Sequence, residues 1–207
     1  MNLSAGIAIA ALGMIACSDP TDNASASFQT AVPPVAATRE QAPDPAGAAA
    51  ATKAFQDRMR EYVSFHHNVQ KTVPALTETA DPKKLSERQT ALALALIKQR
   101  PDAKQGDFFI QQYQPYLRQI VNDDFSKRAP ADRKALIVEL PKGVKIDVNM
   151  EYPTTLPLAT FPGKLLRALP ELPPELEYRI VGRSLVLRDI EANVIVDLMR
   201  DVFPIPV

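Results

Sequence analysis

The side chains with the widest chemical range in this sequence are two histidines, a series of acids and a single cysteine. His66 and His67 are adjacent, so on a helix their rings diverge by about 100 degrees and do not chelate one ion together. Three and four residues from His66 stand Tyr62, Val63, Val69 and Gln70, and around His67 stand Val63, Ser64, Gln70 and Lys71. None of these is a carboxylate, thiol or imidazole, so no metal site is expected at the pair and no cofactor is assigned. The expected role of His66 is packing inside a helix interface, with His67 at its edge.

The acids offer more. Asp123-Asp124 is expected to close a helix, while Asp189, Asn193, Asp197 and Asp201 recur every four residues, the spacing of one face of a last helix. Such a strip could hold a cation or act in hydrolysis, but it is more commonly the solvated face of an amphipathic helix, here with Arg188 and Arg200 nearby. A Ser-His-Asp set converges in space and is not excluded by sequence. No G-x-S-x-G or S-x-x-K pattern accompanies the serines, however, and the glycines beyond residue 50, Gly106, Gly143, Gly163 and Gly182, are too scattered for a phosphate-binding loop. No catalytic residue is assigned.

Composition narrows the classes further. Lys plus Arg (24) equals Asp plus Glu (24), so the net field gives no affinity for nucleic acid, and no nucleic-acid partner is expected. Trp is absent and aromatics make up 6%, which disfavours stacking platforms for bases or sugars. A length of 207 residues with 46% hydrophobic content suits one well-buried domain.

The first sixteen residues carry no charge, and Ala5 to Ala16 form a small and apolar run that Asp19 and Pro20 end. That run is too short for a membrane-spanning helix, which needs roughly 20 apolar residues, and has the length of the apolar part of a targeting signal. Cys17 follows it directly, and Met14-Ile15-Ala16-Cys17 resembles the lipobox of bacterial lipoproteins, which implies acylation of the Cys17 thiol and a mature chain tethered to a membrane by lipid, facing the periplasm. Ordinary secretion is the alternative, with Ala24-Ser25-Ala26 as an A-x-A cleavage pattern. In either case the chain is expected to be exported, and with no second cysteine the mature domain depends on burial rather than disulfides.

Three segments follow: a signal over 1–17, an Ala/Pro-rich disordered tether over 18–50, and a single globular domain over 51–207. Phe55, Met59, Tyr62, His66, Val69 and Val73 mark one face of a first helix over 51–73. Asp81-Pro82 predicts the start of a second helix, about 82–100, striped by Leu85, Leu92 and Leu96; a third runs through Tyr113, Leu117, Ile120, Val121 and Phe125, with Pro115 in its first turn. The three stripes are expected to pack against each other as an antiparallel bundle. Val144, Ile146, Val148 and Met150 alternate with polar residues as in a strand, and Phe161 to Leu169 reads as a short helix.

Leu176–Val181 and Ser184–Arg188 flank Gly182-Arg183, a two-residue hairpin loop in which Gly at the first position fits a type II′ turn. The register then pairs Val181 with Ser184 and Glu177 with Arg188, placing Tyr178, Ile180, Leu185 and Leu187 on one face. Strand 144–150 should join this hairpin, and a helix capped by Asp189 should cover its apolar face. Arg179 and Arg188 are then left outside as a possible contact for an acidic protein partner in the envelope. The fold class is α+β: about three N-terminal helices, then a small antiparallel sheet with a C-terminal helix.

The tail from Leu172-Pro173-Pro174-Glu175 through Arg188-Asp189-Ile190-Glu191-Ala192-Asn193 to Asp197, with Gln105-Gly106-Asp107 upstream, resembles a family of uncharacterised exported bacterial proteins over residues 53 to 204. That resemblance implies one exported domain and brings no activity, ligand or catalytic residue. The expected function is a non-enzymatic interaction or structural module, tethered to a membrane in the cell envelope. The alternatives are a periplasmic hydrolase using Glu177, Asp189 or Asp197, and a small-ligand carrier with its cavity between helices and sheet.

Overall fold

The computed structural model describes residues 45–75, 77–137, 144–156 and 160–205. Cys17, the signal segment and residues 18–44 of the expected tether lie outside these ranges. Five helices precede a three-stranded sheet: α1 Pro45–Gln70, α2 Pro82–Gln99, α3 Gln114–Ser126, α4 Pro130–Leu136, α5 Gly163–Ala168, β1 Leu176–Val181, β2 Ser184–Asp189 and β3 Val194–Met199. Helix α1 begins inside the stretch read as tether. Pro45 is preorganised for a first helical turn, and Ala48 to Ala51 are the strongest helix formers, so the alanine run extends the helix.

The predicted stripe of α1 is the buried one, with Phe55, Met59, Tyr62, His66 and Val69 all inside. Helix α2 starts where Asp81 accepts the Lys83 backbone N–H and Pro82 takes a first-turn position, and it buries Leu92, Ala93 and Leu96, while Leu85 is exposed. In α3, Pro115 lies in the first turn, where its missing N–H costs no helical hydrogen bond. The helices do not close a bundle of their own. Phe55, Met59 and Tyr62 of α1 and Leu117, Val121 and Phe125 of α3 pack in one cluster with Tyr178, Leu185, Leu187 and Val196 of the sheet. Helix α2 belongs to a second cluster with Val69, Ala192 and Val194.

The sheet is antiparallel in the order β1-β2-β3. The β1–β2 register is the predicted one at every pair, from Val181↔Ser184 to Glu177↔Arg188. Gly182 has φ 55, as a turn with a positive φ at its first position requires. Beyond Asp189 the expected helix does not form. Residues 190–193 turn instead, with Asn193 at φ 56, and the chain returns as β3. Val194, Ile195 and Val196 are three consecutive β-branched residues, which fit a pleated sheet better than a helix. The four-residue recurrence of Asp189, Asn193, Asp197 and Asp201 is therefore not a helical strip: the first ends β2, the second and fourth sit in turns, and the third lies within β3.

Register shifts in the β2–β3 ladder, where Leu187 pairs with Asp197 but Arg188 pairs with Ile195. Val196 is the extra residue of a bulge, so Val196 and Asp197 both turn toward the helical face. The opposite face is also covered: Val181, Val186, Ile195 and Leu198 bury Ile146, Tyr152 and Leu156. All six residues of β2 are buried. Segment 144–150 does join the sheet, but as an irregular edge rather than a strand. Asn149 N–H donates to Ile195 O and Ile195 N–H to Met150 O, with a single bridge at Glu151↔Val194. The positive φ of 62 at Asn149 breaks the extended backbone that its alternating sequence predicts.

Candidate functional site

The titratable groups gather where the C-terminal half of α1 meets the β2–β3 turn. Asp189, at the end of β2, is fully buried. Its Oδ2 accepts from Tyr62 OH at 2.8 Å and from His66 Nδ1 at 2.7 Å, and its Oδ1 accepts the Ala192 N–H at 2.8 Å. Tyr62 and His66 stand four apart on α1, so one helical face delivers both donors to a single carboxylate. The other imidazole nitrogen, Nε2, lies 3.4 Å from Glu191 Oε2.

Electrostatics at the pair oppose each other. Burial lowers the His66 pKa, but the hydrogen bond and charge of Asp189, followed by those of Glu191, outweigh it and raise the pKa from its ordinary 6.5. Burial, and next the charge of Asp189, lifts the Tyr62 phenol well above its ordinary range. The Arg100 guanidinium sits 5.4 Å from the ring centroids of both Tyr62 and Phe108 and donates to Val196 O, closing the cluster from the end of α2.

His66 has carboxylate partners after all, brought from 123 and 125 positions away rather than from its own helix. It packs against the sheet end rather than in a helix interface. His67 lies at the edge as expected, its side chain 49% exposed and its Nε2 2.9 Å from Glu175 Oε1. Among the described residues no group of three or more His, Cys, Asp or Glu is placed to hold a metal ion.

Asp197 forms a separate centre. Its Oδ1 accepts the Gly106 and Leu198 amides at 3.0 and 2.7 Å, and its Oδ2 accepts Phe108 and Phe109 at 2.8 Å each. Gly106, at φ 90, shapes the loop that presents three of these donors. Burial pushes the Asp197 carboxyl up while the four amides pull it down, and burial prevails. Both oxygens are saturated by backbone, so this carboxylate fastens the 104–109 loop to the sheet.

No known protein family matches this chain, and no curated protein or solved structure does either. Arg188, expected outside, is buried: its Nε donates to Asn193 Oδ1 at 2.8 Å, its Nη1 pairs with Glu177, and its guanidinium lies over Tyr152. The cause is the cover that residues 144–156 lay over this face of the sheet. Arg179 also pairs with Glu177, through Nε at 2.7 Å. It differs from Arg188 in lining a groove of about 820 Å³ between α5 and β1, walled by Phe161, Leu166, Leu169, Leu172 and Tyr178. Leu166 is 47% exposed at its rim. The groove escapes sequence analysis because its walls are single apolar residues on three short segments.

Asp123 and Asp124 lie near the end of α3, as expected, and Asp124 is held by Arg128 Nε at 2.6 Å. Among the described residues, no helix is long and apolar enough to cross a membrane.

Proposed function

We propose that this chain is a non-enzymatic binding module of the bacterial cell envelope, held at a membrane by a lipid on Cys17, and that it takes a partner with an apolar segment in the groove beside α5. One observation carries the reading: the groove between α5 and β1 sets an apolar wall of Phe161, Leu166, Leu169, Leu172 and Tyr178 beside Arg179 and Glu177, and presents Leu166 to solvent. A volume of about 820 Å³ is that of an ordinary ligand site, and an exposed leucine at its rim favours contact over isolation.

The hydrolase alternative draws no support from the residues named for it. Glu177 is neutralised between Arg179 and Arg188, Asp189 accepts three hydrogen bonds, and Asp197 accepts four. His66 faces carboxylates at both nitrogens, so neither nitrogen is free to take a proton from a nucleophile. A carrier of small apolar ligands would use the same groove, and the identity of the bound material separates carrier from partner-binding module.

The anchor is tested by changing Cys17 to Ala and fractionating cells. Several acyl chains hold a protein firmly to a bilayer, so the variant should move from the membrane to the soluble fraction. Unchanged partitioning would show that the lipid anchor is absent.

A further inference from the structure

Arg88, on α2, is the one guanidinium among the described residues with buried nitrogens that no acceptor reaches. Its side chain is 10% exposed, yet Nε and Nη1 are buried without a hydrogen bond. Its opposing charge is Glu191, whose Oε1 lies 3.5 Å from Nη2, a long contact. Glu191 is already engaged elsewhere: Gln70 Nε2 donates to both its oxygens, at 3.0 and 2.8 Å, and His66 Nε2 lies 3.4 Å away. A guanidinium offers five donors and keeps its charge at any physiological pH, so burying it in this state leaves demand for an acceptor.

Arg88 also lines two cavities. One, of about 650 Å³, is lined by His67, Gln70, Lys71, Val73 and Ala75 together with Arg88 and Glu191. The other, of about 440 Å³, is lined by Lys84, one turn before Arg88 on α2, together with Glu87, Ala91, Ala75 and Thr77. His67 is occupied by Glu175. Of the remaining charges, Lys71, Lys84 and Arg88 are positive and Glu87 and Glu191 negative, and Glu87 also lies 3.8 Å from Lys83.

We propose that Arg88 anchors a binding site for the carboxylate of a small, partly apolar molecule. Glu191, 3.5 Å from Nη2, places a negative charge beside the guanidinium, so a monoanion is repelled less there than a phosphate dianion. Val73, Ala75 and Ala91 give a short aliphatic body a place to lie. A planar carboxylate also suits a guanidinium geometrically, since it can accept from two of its nitrogens at once. The carboxylate belongs either to a free short-chain acid or to the C terminus of a peptide. The site rests on neither the groove beside α5 nor the Cys17 anchor, so failure of either leaves it standing.

The test is an NMR titration of the full-length 15N-labelled chain, following the Arg88 Nε–H resonance, which reports directly on a new acceptor. Butyrate and acetyl-Ala-Ala are added as acids, with butyramide, the amidated dipeptide and inorganic phosphate as comparisons at matched ionic strength. The expected result is a saturable shift with a Kd of about 1 to 10 mM for at least one acid, and binding at least about tenfold weaker for its amide and for phosphate. Binding of butyrate identifies a free acid as sufficient; binding of the dipeptide acid alone identifies a peptide terminus. Lys84→Ala, on the exposed face of α2, should weaken binding about threefold with the fold intact, and Arg88→Lys should abolish it. Absence of a saturable shift from both acids, equal shifts from the amides, or tighter binding of phosphate would overturn the proposal.

Discussion

His66 Nδ1 and Asp189 Oδ2 meet at 2.7 Å in the interior, with side chains 1% and 0% exposed, joining the first helix to the end of the second strand. A buried pair of this kind is costly to break, because removing one member strands the other without its partner. His66→Gln and Asp189→Asn are each expected to destabilise the fold by about 3 kcal/mol, read from the midpoint of urea unfolding. A loss under about 0.5 kcal/mol for both would show that the pair does not fasten α1 to the sheet.

The same pair sets a pH dependence. The His66 pKa is raised in the fold, so the native state holds this proton more tightly than the unfolded chain. The stabilisation is therefore complete below the ordinary value of 6.5 and fades as pH rises through the shifted pKa. The stability difference between wild type and His66→Gln should narrow as the pH rises above about 6.5. Widening over that range would contradict the sign of the coupling.

Tyr62→Phe isolates one hydrogen bond, since the ring stays and only the hydroxyl that donates to Asp189 is lost. The expected cost is about 2 kcal/mol, the range for hydrogen bonds to charged groups, with no change in the denaturant slope.

Asp197→Asn tests the loop clamp. An amide keeps one accepting oxygen and turns its NH2 toward two of the four backbone donors, leaving them without an acceptor. The expected loss is about 3 kcal/mol, together with faster hydrogen exchange at the amides that lose their partner, among Gly106, Phe108, Phe109 and Leu198. Exchange rates equal to those of the wild type would exclude the clamp.

Local rules made much of this fold legible and little of its polar chemistry. Gly182 in a two-residue loop fixed the hairpin register, and the spacing from Phe55 to Val69 gave the buried face of α1, because both patterns depend on neighbours in sequence. The segment after Asp189 carried two signals in conflict, acids every four residues and three β-branched residues in a row at Val194 to Val196. The second was decisive, and the bulge at Val196 then turned Asp197 inward. The partners of His66 come from 123 and 125 positions downstream, so a search along its own helix does not reach them. Gln105-Gly106-Asp107 was visible as a motif, but its use as an amide cradle depends on Asp197 arriving from β3. The burial of Arg188 is not legible in its own strand, because the cover over it is laid by residues 144–156.

The most direct test of the binding role uses tagged full-length protein recovered from membranes of its own host, comparing wild type with Leu166→Glu. Leu166 is 47% exposed at the groove rim, so the substitution should leave the melting temperature within a few degrees while placing a charge where an apolar segment would lie. The account predicts that wild type retains a partner at close to one equivalent and that Leu166→Glu loses at least about nine-tenths of it. Equal recovery by both proteins, or no partner retained by either, would contradict a binding module that works through this groove.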